Sequence, residues 1–325
     1  MARLPDEFEL IRRYFAPLTS GTPGAVGLRD DVATLSPQVG RELVVTADAL
    51  VAGVHFQADD PPDLIARKAL RVNLSDIAAK GGRARHYLMT LALGPEIDEA
   101  WIAAFVTGLG ADQAEFGVSL AGGDTAATPG PVCISITVIG DIEPGTVLRR
   151  GGARAGDDVY VSGTIGDAAL GLACLQGELE WLDSPAREKL VGRYRLPRPR
   201  TTLGPRLIGL AHAALDVSDG LVADLGHMAE ASSLSADIDV ALVPLSEAAR
   251  VVLAREPERL LPVLTGGDDY EILFAAPAGA AARLAALSGE LGVPIARLGR
   301  LGAGRGVSVA GASGLALGRG GYRHF

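Results

Sequence analysis

The sequence predicts a mixed α+β protein of two domains, and three observations carry that expectation. The chain has 325 residues, which corresponds to about two domains at roughly 100–200 residues each. Helically spaced apolar stretches are interleaved with short β-like runs, several joined by antiparallel connections rather than in a strict βαβ array. A segment rich in Gly, Pro and Arg, EPGTVLRRGGARAGD, separates two β runs and sets a boundary between residues 1–145 and 146–325.

Residues 6–19 read as an amphipathic helix with Phe8, Ile11, Tyr14, Phe15 and Leu18 on one side. A Gly-rich loop follows over residues 21–31, then a β run from residue 43. Residues 63–80 predict a helix, with Leu64, Ala69, Val72 and Ile77 near helical spacing and Gly81-Gly82 as the stop. A strand at 87–93, a helix at 98–116 and strands at 118–120 and 132–142 complete the first domain. In the second, a strand at 158–162, helices at 166–175 and 187–194, and a strand at 214–217 are expected. That last strand runs into a helix starting at Ser218 or Asp219; a strand at 270–275 and an Ala-rich helix at 278–291 follow. The Gly-rich tail, residues 302–321, carries short β pieces.

Composition removes several classes of function. Hydrophobic residues make up 48% and charged residues 21%, a globular balance. The net charge is −9, which argues against nucleic acid as a partner, since phosphate neutralisation needs a basic face. Cys133 and Cys174 are the only cysteines and lack CxxC spacing, which suits a reducing cytoplasm and excludes a cysteine zinc site. No uncharged apolar run reaches about 18 residues, so no membrane-spanning helix is expected. Residues 1–10 carry Asp6, Glu7 and Glu9 without an apolar core, so no secretory leader is expected there. None of the three lysines follows a GxxxxG, so there is no Walker A loop. HRD, DFG, HExxH and GxSxG are absent as well.

The distinctive feature is a set of six short acidic segments, read as turns at element ends: RDD at 29–31, TAD at 46–48, NLSD at 73–76, GGDT at 122–125, DVSDG at 216–220 and GGDDYE at 266–271. An aspartate in a Gly-flanked turn ordinarily caps a helix or closes an Asx-turn. Six in one chain point instead to hard cations, which take carboxylate oxygens, and to phosphates, which approach closely at glycine. An acidic protein binds a polyanion when metal ions lie between them. Asp216 and Asp219 are expected near a helix N-terminus, where the dipole favours anions. Asp76, inside a predicted helix, either faces solvent or is paired. His55 follows an acidic segment, although a buried structural histidine is the commoner case; His86, His212 and His227 carry no chemical signal. Arg149 and Arg150 stand at the domain boundary, where a solvated arginine is the default and a phosphate contact the alternative.

In order and spacing, the runs RDDVATL, VVTADALVAGVHF, KALRVNLSDIAAKG, GGDT, LRRGGARAGD, SGTIGDAALGL, LDVSDGLVADLGHMAEAS and LTGGDDYEILF resemble the thiamine-monophosphate kinases of the aminoimidazole-ribonucleotide-synthetase-like superfamily. The resemblance covers nearly the whole chain. Selenophosphate synthetases carry a reactive N-terminal Cys or selenocysteine that is missing here, and the hydrogenase-maturation relatives end in a functional Cys where this chain ends His324-Phe325.

The resemblance implies a homodimer whose N-terminal domains share a sheet, with ATP and several Mg2+ ions. The first domain would bind ATP and metal and form the dimer, and the second would contribute to the substrate site. Asp31, Thr46, Asp48, Asp76, Asp124, Asp216 and Asp219 would be metal ligands, Gly123, Asp124, Arg150 and Ser218 ATP contacts, and His55 and Asp268 contacts to thiamine monophosphate. The implied reaction is direct transfer from ATP to thiamine monophosphate. A sister ATP-dependent synthetase and a non-catalytic nucleotide- or metal-binding protein are the alternatives. The chain departs from the family pattern at Ala47, where a hydroxyl residue is frequent, and at Asp268, where Glu is frequent. The family's C-terminal aromatic position falls on Arg319, with Tyr322 the nearest aromatic.

Overall fold

The computed structural model describes residues 4–312 and Gly321; Arg319 and Tyr322 lie outside the described residues. The chain falls into two units, Met1–Ile77 with Gly82–Gly145, and Ala78–Gly81 with Thr146–Phe325.

Unit 1 begins with α1 (Glu7–Leu10), capped by Asp6, whose carboxylate accepts the Glu9 N–H. The helix does not run on as one amphipathic cylinder to residue 19. Residues Ile11–Phe15 form a π-turn and Ala16–Thr19 a 3-10 turn. Pro17 has no N–H to continue the ladder, and the Ala16 N–H reaches back to the Ile11 carbonyl. The extra residue rotates the buried face. Leu10, Phe15 and Leu18 are buried, whereas Phe8, expected inside, is 82% exposed.

The sheet of unit 1 contains β1 (Glu42–Val51), β2 (Arg83–Leu93), β3 (Ser119–Ala127) and β4 (Cys133–Ile142), in the order β1-β4-β2-β3. The β1–β4 and β2–β4 pairs are antiparallel; β2 and β3 are parallel. A parallel pair needs a crossover, and α3 (Glu99–Phe116) supplies it, with Asp98 as its N-cap. The remaining long helix, α2 (Pro62–Ala79), connects β1 to β2. Along β2 and most of β4 burial alternates, whereas β3 is buried at its start and open at its end. Tyr87, Met89, Leu91, Ile134, Ile136 and Val138 are buried, and Gln113 of α3 donates to the Tyr87 hydroxyl on that face at 2.9 Å. The opposite face is apolar yet open: Leu43, Val45 and Leu88 are 54%, 60% and 38% exposed. Between α2 and α3, the buried Arg71 guanidinium grips both oxygens of fully buried Asp112 and stacks 4.9 Å over Phe116.

The sheet of unit 2 holds six strands, β5 (Asp158–Ser162), β6 (Ala213–Asp216), β7 (Leu234–Asp239), β8 (Ile272–Ala276), β9 (Ile295–Ala303) and β10 (Gly306–Ala310). Their order is β10-β7-β9-β5-β8-β6, parallel only between β10 and β7. Both faces are covered, as the fully buried strands β5, β6 and β8 require. Val159, Val161, Leu215 and Leu273 pack with Leu225 and Met228 of α6 (Leu221–Ala231); Tyr160, Ala214 and Phe274 pack with Leu284 and Leu287 of α9 (Ala281–Leu291). A third cluster joins α4 (Asp167–Leu175), α5 (Ser184–Arg195), α7 (Glu247–Arg255) and α8 (Leu260–Thr265).

Four elements, β7, α7, α8 and β9, have no counterpart in the sequence reading. In β7 (LSADID) and β9 (IARLGRLGA), Gly, Ala and charged residues blur the two-residue period. Three of the six acidic segments are also not turns. Residues 46–48 lie inside β1, 73–76 inside α2 and 122–125 inside β3. Among the described residues, no helix is long and apolar enough to cross a membrane.

Candidate functional site

In unit 1, Asp48, Asp76 and Asp124 project from regular elements, and Asp31 stands in the loop before β1. On β1, even-numbered residues turn inward and odd-numbered ones outward, so Thr46 and Asp48 share the inward face. One and two turns back from the C-terminal end of α2, Asp76 and Asn73 meet them. The Thr46 hydroxyl donates to Asp76 Oδ2 at 2.6 Å, and the Asp48 N–H donates to Asn73 Oδ1 at 3.1 Å. Burial, reinforced by the negative charge of Asp76, pushes the Asp48 carboxyl up to about 6. Asp76 is thus paired with Thr46 rather than turned to solvent. Asn73 was not anticipated as a site residue, although it stands three residues before Asp76, one helical turn away.

Asp31, Gly123 and Asp124 line a cavity of about 300 Å³ with Phe15, Leu28 and Met89. Gly123 is required there by a close approach: a Cβ would stand 1.8 Å from the Met89 carbonyl oxygen of the neighbouring strand. Glycine therefore permits the β2–β3 pairing that presents Asp124. His55 lies in the turn after β1. Its Nδ1 accepts the Val51 N–H at 3.0 Å, and Lys68 donates to its carbonyl at 2.8 Å. With Nδ1 accepting, a neutral His55 ring carries its proton on Nε2.

In unit 2 the acids lie on two loops tied to each other. Asp216 ends β6 and is buried, but α6 starts only at Leu221, with Gly220 at its N-cap. Neither Ser218 nor Asp219 caps it. The cap runs backwards instead: the N–H groups of Ser218, Asp219 and Gly220 all donate to Asp224 Oδ2, at 3.1, 3.0 and 3.1 Å. Desolvation, with the Asp219 charge adding to it, raises the Asp224 carboxyl to about 7 against the lowering effect of those bonds. Oxygens of Asp219 and Asp224 and a nitrogen of His227 lie within 4.8 Å of one another. Asp224 and His227 were not identified from sequence; an acid in the first helical turn was the available signal for Asp224.

The second loop, residues 266–271, pairs with the first through backbone bonds. Val217 donates to the Glu271 carbonyl at 2.9 Å, Asp268 to Ser218 at 2.9 Å and Tyr270 to Val217 at 2.8 Å. Asp268 and Tyr270 both take left-handed conformations, φ +63° and +51°, uncommon for side-chain-bearing residues. The strain is held from below. Fully buried Glu271 accepts from Arg193, Arg200 and Ser162, and Asp269 Oδ2 accepts the Gly166 N–H at 2.8 Å. Arg150 is exposed, and the neighbouring Arg149 carbonyl accepts the Ala214 N–H of edge strand β6 at 3.1 Å.

The donor set in each unit is oxygen-rich and anionic. Burial, and after it the charge of Asp76, raises the Asp48 carboxyl, and a divalent cation would offset both. The residues present therefore fit Mg2+, which takes carboxylate and hydroxyl oxygens.

Residues 29–142 match the family model for AIR synthase related protein, N-terminal domain, and residues 154–311 match that for the C-terminal domain. The thiamine-monophosphate kinase of Caulobacter vibrioides is 42% identical over 298 residues, spanning 91% of this chain and 84% of its own. That of Escherichia coli K12 is 42% identical over 299 residues, 91% and 90% of the two chains. The crystal structure of thiamine-monophosphate kinase from Stenotrophomonas maltophilia superposes with a TM-score of 0.85 at 43% identity, covering 94% of this chain and 97% of that one. A complex of AaThiL with AMPPCP and TMP superposes at 0.79 with 30% identity, covering 100% and 99%. Sequence motifs, two-unit fold and relatives agree: the chain belongs to the thiamine-monophosphate kinase family of AIR-synthase-related proteins.

Proposed function

We propose that the chain catalyses ATP-dependent phosphorylation of thiamine monophosphate to thiamine diphosphate. The observation that carries this reading is the Thr46–Asp48–Asp76 group, two mutually repelling carboxylates and a hydroxyl set by β1 and α2. The relatives named above support it, as does AaThiL, which was solved with a nucleotide analogue and TMP.

The acceptor is a phosphate monoester with a second pKa of about 6, already largely ionised at pH 7. No general base is needed, and none is assigned. The obstacle is repulsion between two anions. Asp31, Thr46, Asp48, Asp76 and Asp124 of unit 1, and Asp216 and Asp219 of unit 2, would hold Mg2+. When bound, the ions supply neutralisation of phosphate charge and alignment for in-line transfer. Gly123 admits a phosphate close to the backbone, Arg150 adds positive charge at ATP, and Ser218 offers a hydroxyl. His55 would donate from Nε2 to thiamine monophosphate, and Asp268, placed by its strained loop, would accept from it. Unit 1 would bind ATP and metal and form the dimer, and unit 2 would contribute to the substrate site.

The open apolar face of β1 and β2 supports a homodimer formed through a shared sheet, since exposed apolar patches mark interaction surfaces. A cytoplasmic enzyme acting on small molecules, with no nucleic-acid or membrane partner, fits the net charge of −9. The decisive assay is ADP release that depends on thiamine monophosphate. Equal turnover with free thiamine would overturn the assignment. Light scattering should give about twice 33.4 kDa, and a fully active monomer at micromolar concentration would remove the dimer.

A further inference from the structure

Three successive N–H groups that converge on one point form an anion-binding concavity. Residues 218–220 form such a concavity, and the acceptor in it belongs to the protein. Asp224 Oδ2 takes all three N–H groups at 3.0–3.1 Å, and the side chain is buried. The surroundings hold the loop against this oxygen. A Cβ on Gly220 would meet the Thr265 carbonyl carbon at 2.7 Å, and one on Gly267 the Ser218 carbonyl oxygen at 2.2 Å. The 218–220 backbone is thus closely packed against Thr265 and Gly267, at glycines that admit nothing larger.

We infer that Asp224 is a positioning residue: it occupies the backbone concavity of the 218–220 loop and thereby aims the Ser218 and Asp219 side chains. The inference rests on the proposal that Ser218 serves ATP and Asp219 serves Mg2+. It adds that this loop meets Mg-ATP through side chains alone, because its N–H groups are already taken. What position 224 must supply is an acceptor oxygen. An asparagine supplies one, and an alanine does not.

The test compares D224N and D224A, with D219N as the control for the loop's function, by steady-state kinetics over separate ATP, Mg2+ and thiamine monophosphate titrations. D224A should raise the KM for Mg-ATP or lower kcat by roughly 10–100-fold, the usual cost of removing a group that orients a ligand. The KM for thiamine monophosphate should stay within about twofold of the parent. D224N should restore most of the loss. A folded D224A with parental kinetics overturns the inference. So does a folded D224N as impaired as D224A, which would mean that the charge of Asp224 itself acts on the ligand. A D219N variant with normal Mg-ATP kinetics faults the assigned function of the loop rather than the geometry. Amide hydrogen exchange on the parent protein decides the geometry independently, even if D224A does not fold. Slow exchange at Ser218, Asp219 and Gly220 supports it, and exchange at open-loop rates overturns it.

Discussion

The two units hold their acids by different means. In unit 1, Thr46, Asp48, Asp76 and Asp124 stand on β1, α2 and β3. Each carboxylate is placed by an element whose ladder and core would exist without it. In unit 2, Ser218, Asp219 and Asp268 stand on two loops that hold each other through backbone bonds, with Asp224 and Glu271 as internal anchors. The comparison teaches that preorganisation from regular elements needs no dedicated polar residues, whereas preorganisation of loops does. Substitution of Asp48 or Asp124 should therefore change function without loss of stability. Substitution of an anchor in unit 2 should change function and stability together.

Glu271 is the harshest test of this contrast. Removing it leaves the buried Arg193 and the partly buried Arg200 guanidiniums without their fully buried carboxylate. Glu271→Ala should cost unit 2 roughly 3–5 kcal/mol, read by denaturant unfolding through Trp181, while Trp101 reports unit 1. A loss below about 1 kcal/mol would show that the loops need no such anchor.

Next in size are the carboxylates themselves. Asp48→Asn, Asp124→Asn and Asp219→Asn should each lower turnover by roughly 10²–10³, the scale for one preorganised electrostatic contact, or raise the Mg2+ requirement. Asp48→Asn should leave the metal-free melting temperature unchanged or raise it, because repulsion from Asp76 is relieved. Normal rates and normal metal dependence in all three would reduce these acids to structural residues.

Gly220→Ala falls in the middle. With φ at +121° and the Thr265 backbone against the new methyl, strain of roughly 1–3 kcal/mol is expected. The KM for Mg-ATP should rise with it. If stability drops and kinetics do not, loop geometry and ligand binding are uncoupled.

The smallest effect is a pH dependence away from both loops. The hydrogen bond from Arg297, with help from Arg300, holds the Asp158 carboxyl below its ordinary value. A depressed folded pKa stabilises above the unfolded value, about 3.9, and that contribution is lost as pH falls through the folded one. Asp158→Asn should thus melt slightly below the parent at pH 7, and the gap should close below about pH 4. A constant gap would assign the effect to packing.

Much of this was legible along the chain. The α2 and α3 spans, several strand runs and the acidic segments follow from apolar period, glycine stops and composition, all local properties. Asp76 was ambiguous because a helix alone does not say which strand lies beside it; Thr46, thirty residues away, resolved it. The segments 46–48 and 122–125 read as turns because Gly and Asp favour turns locally, and sheet pairing overrode that preference. The apolar period of residues 6–19 reads as one unbroken helix although Pro17 lies within it, and the side to which the π-turn rotated Phe8 depended on the core beneath it.

Asp224 marks the limit most clearly. Its sequence neighbourhood is an acid in the first turn of a helix, ordinarily a modest electrostatic contribution. Only the folded loop directs three N–H groups onto its one oxygen. By itself, then, the sequence determined the family, the two-domain α+β plan and the inventory of acidic side chains, since these reside in residue identity and local period. Tertiary structure decided which acids are paired, which are pushed toward neutrality and which serve as anchors. Those properties depend on burial and on partners distant in sequence, and neither exists until the chain has folded.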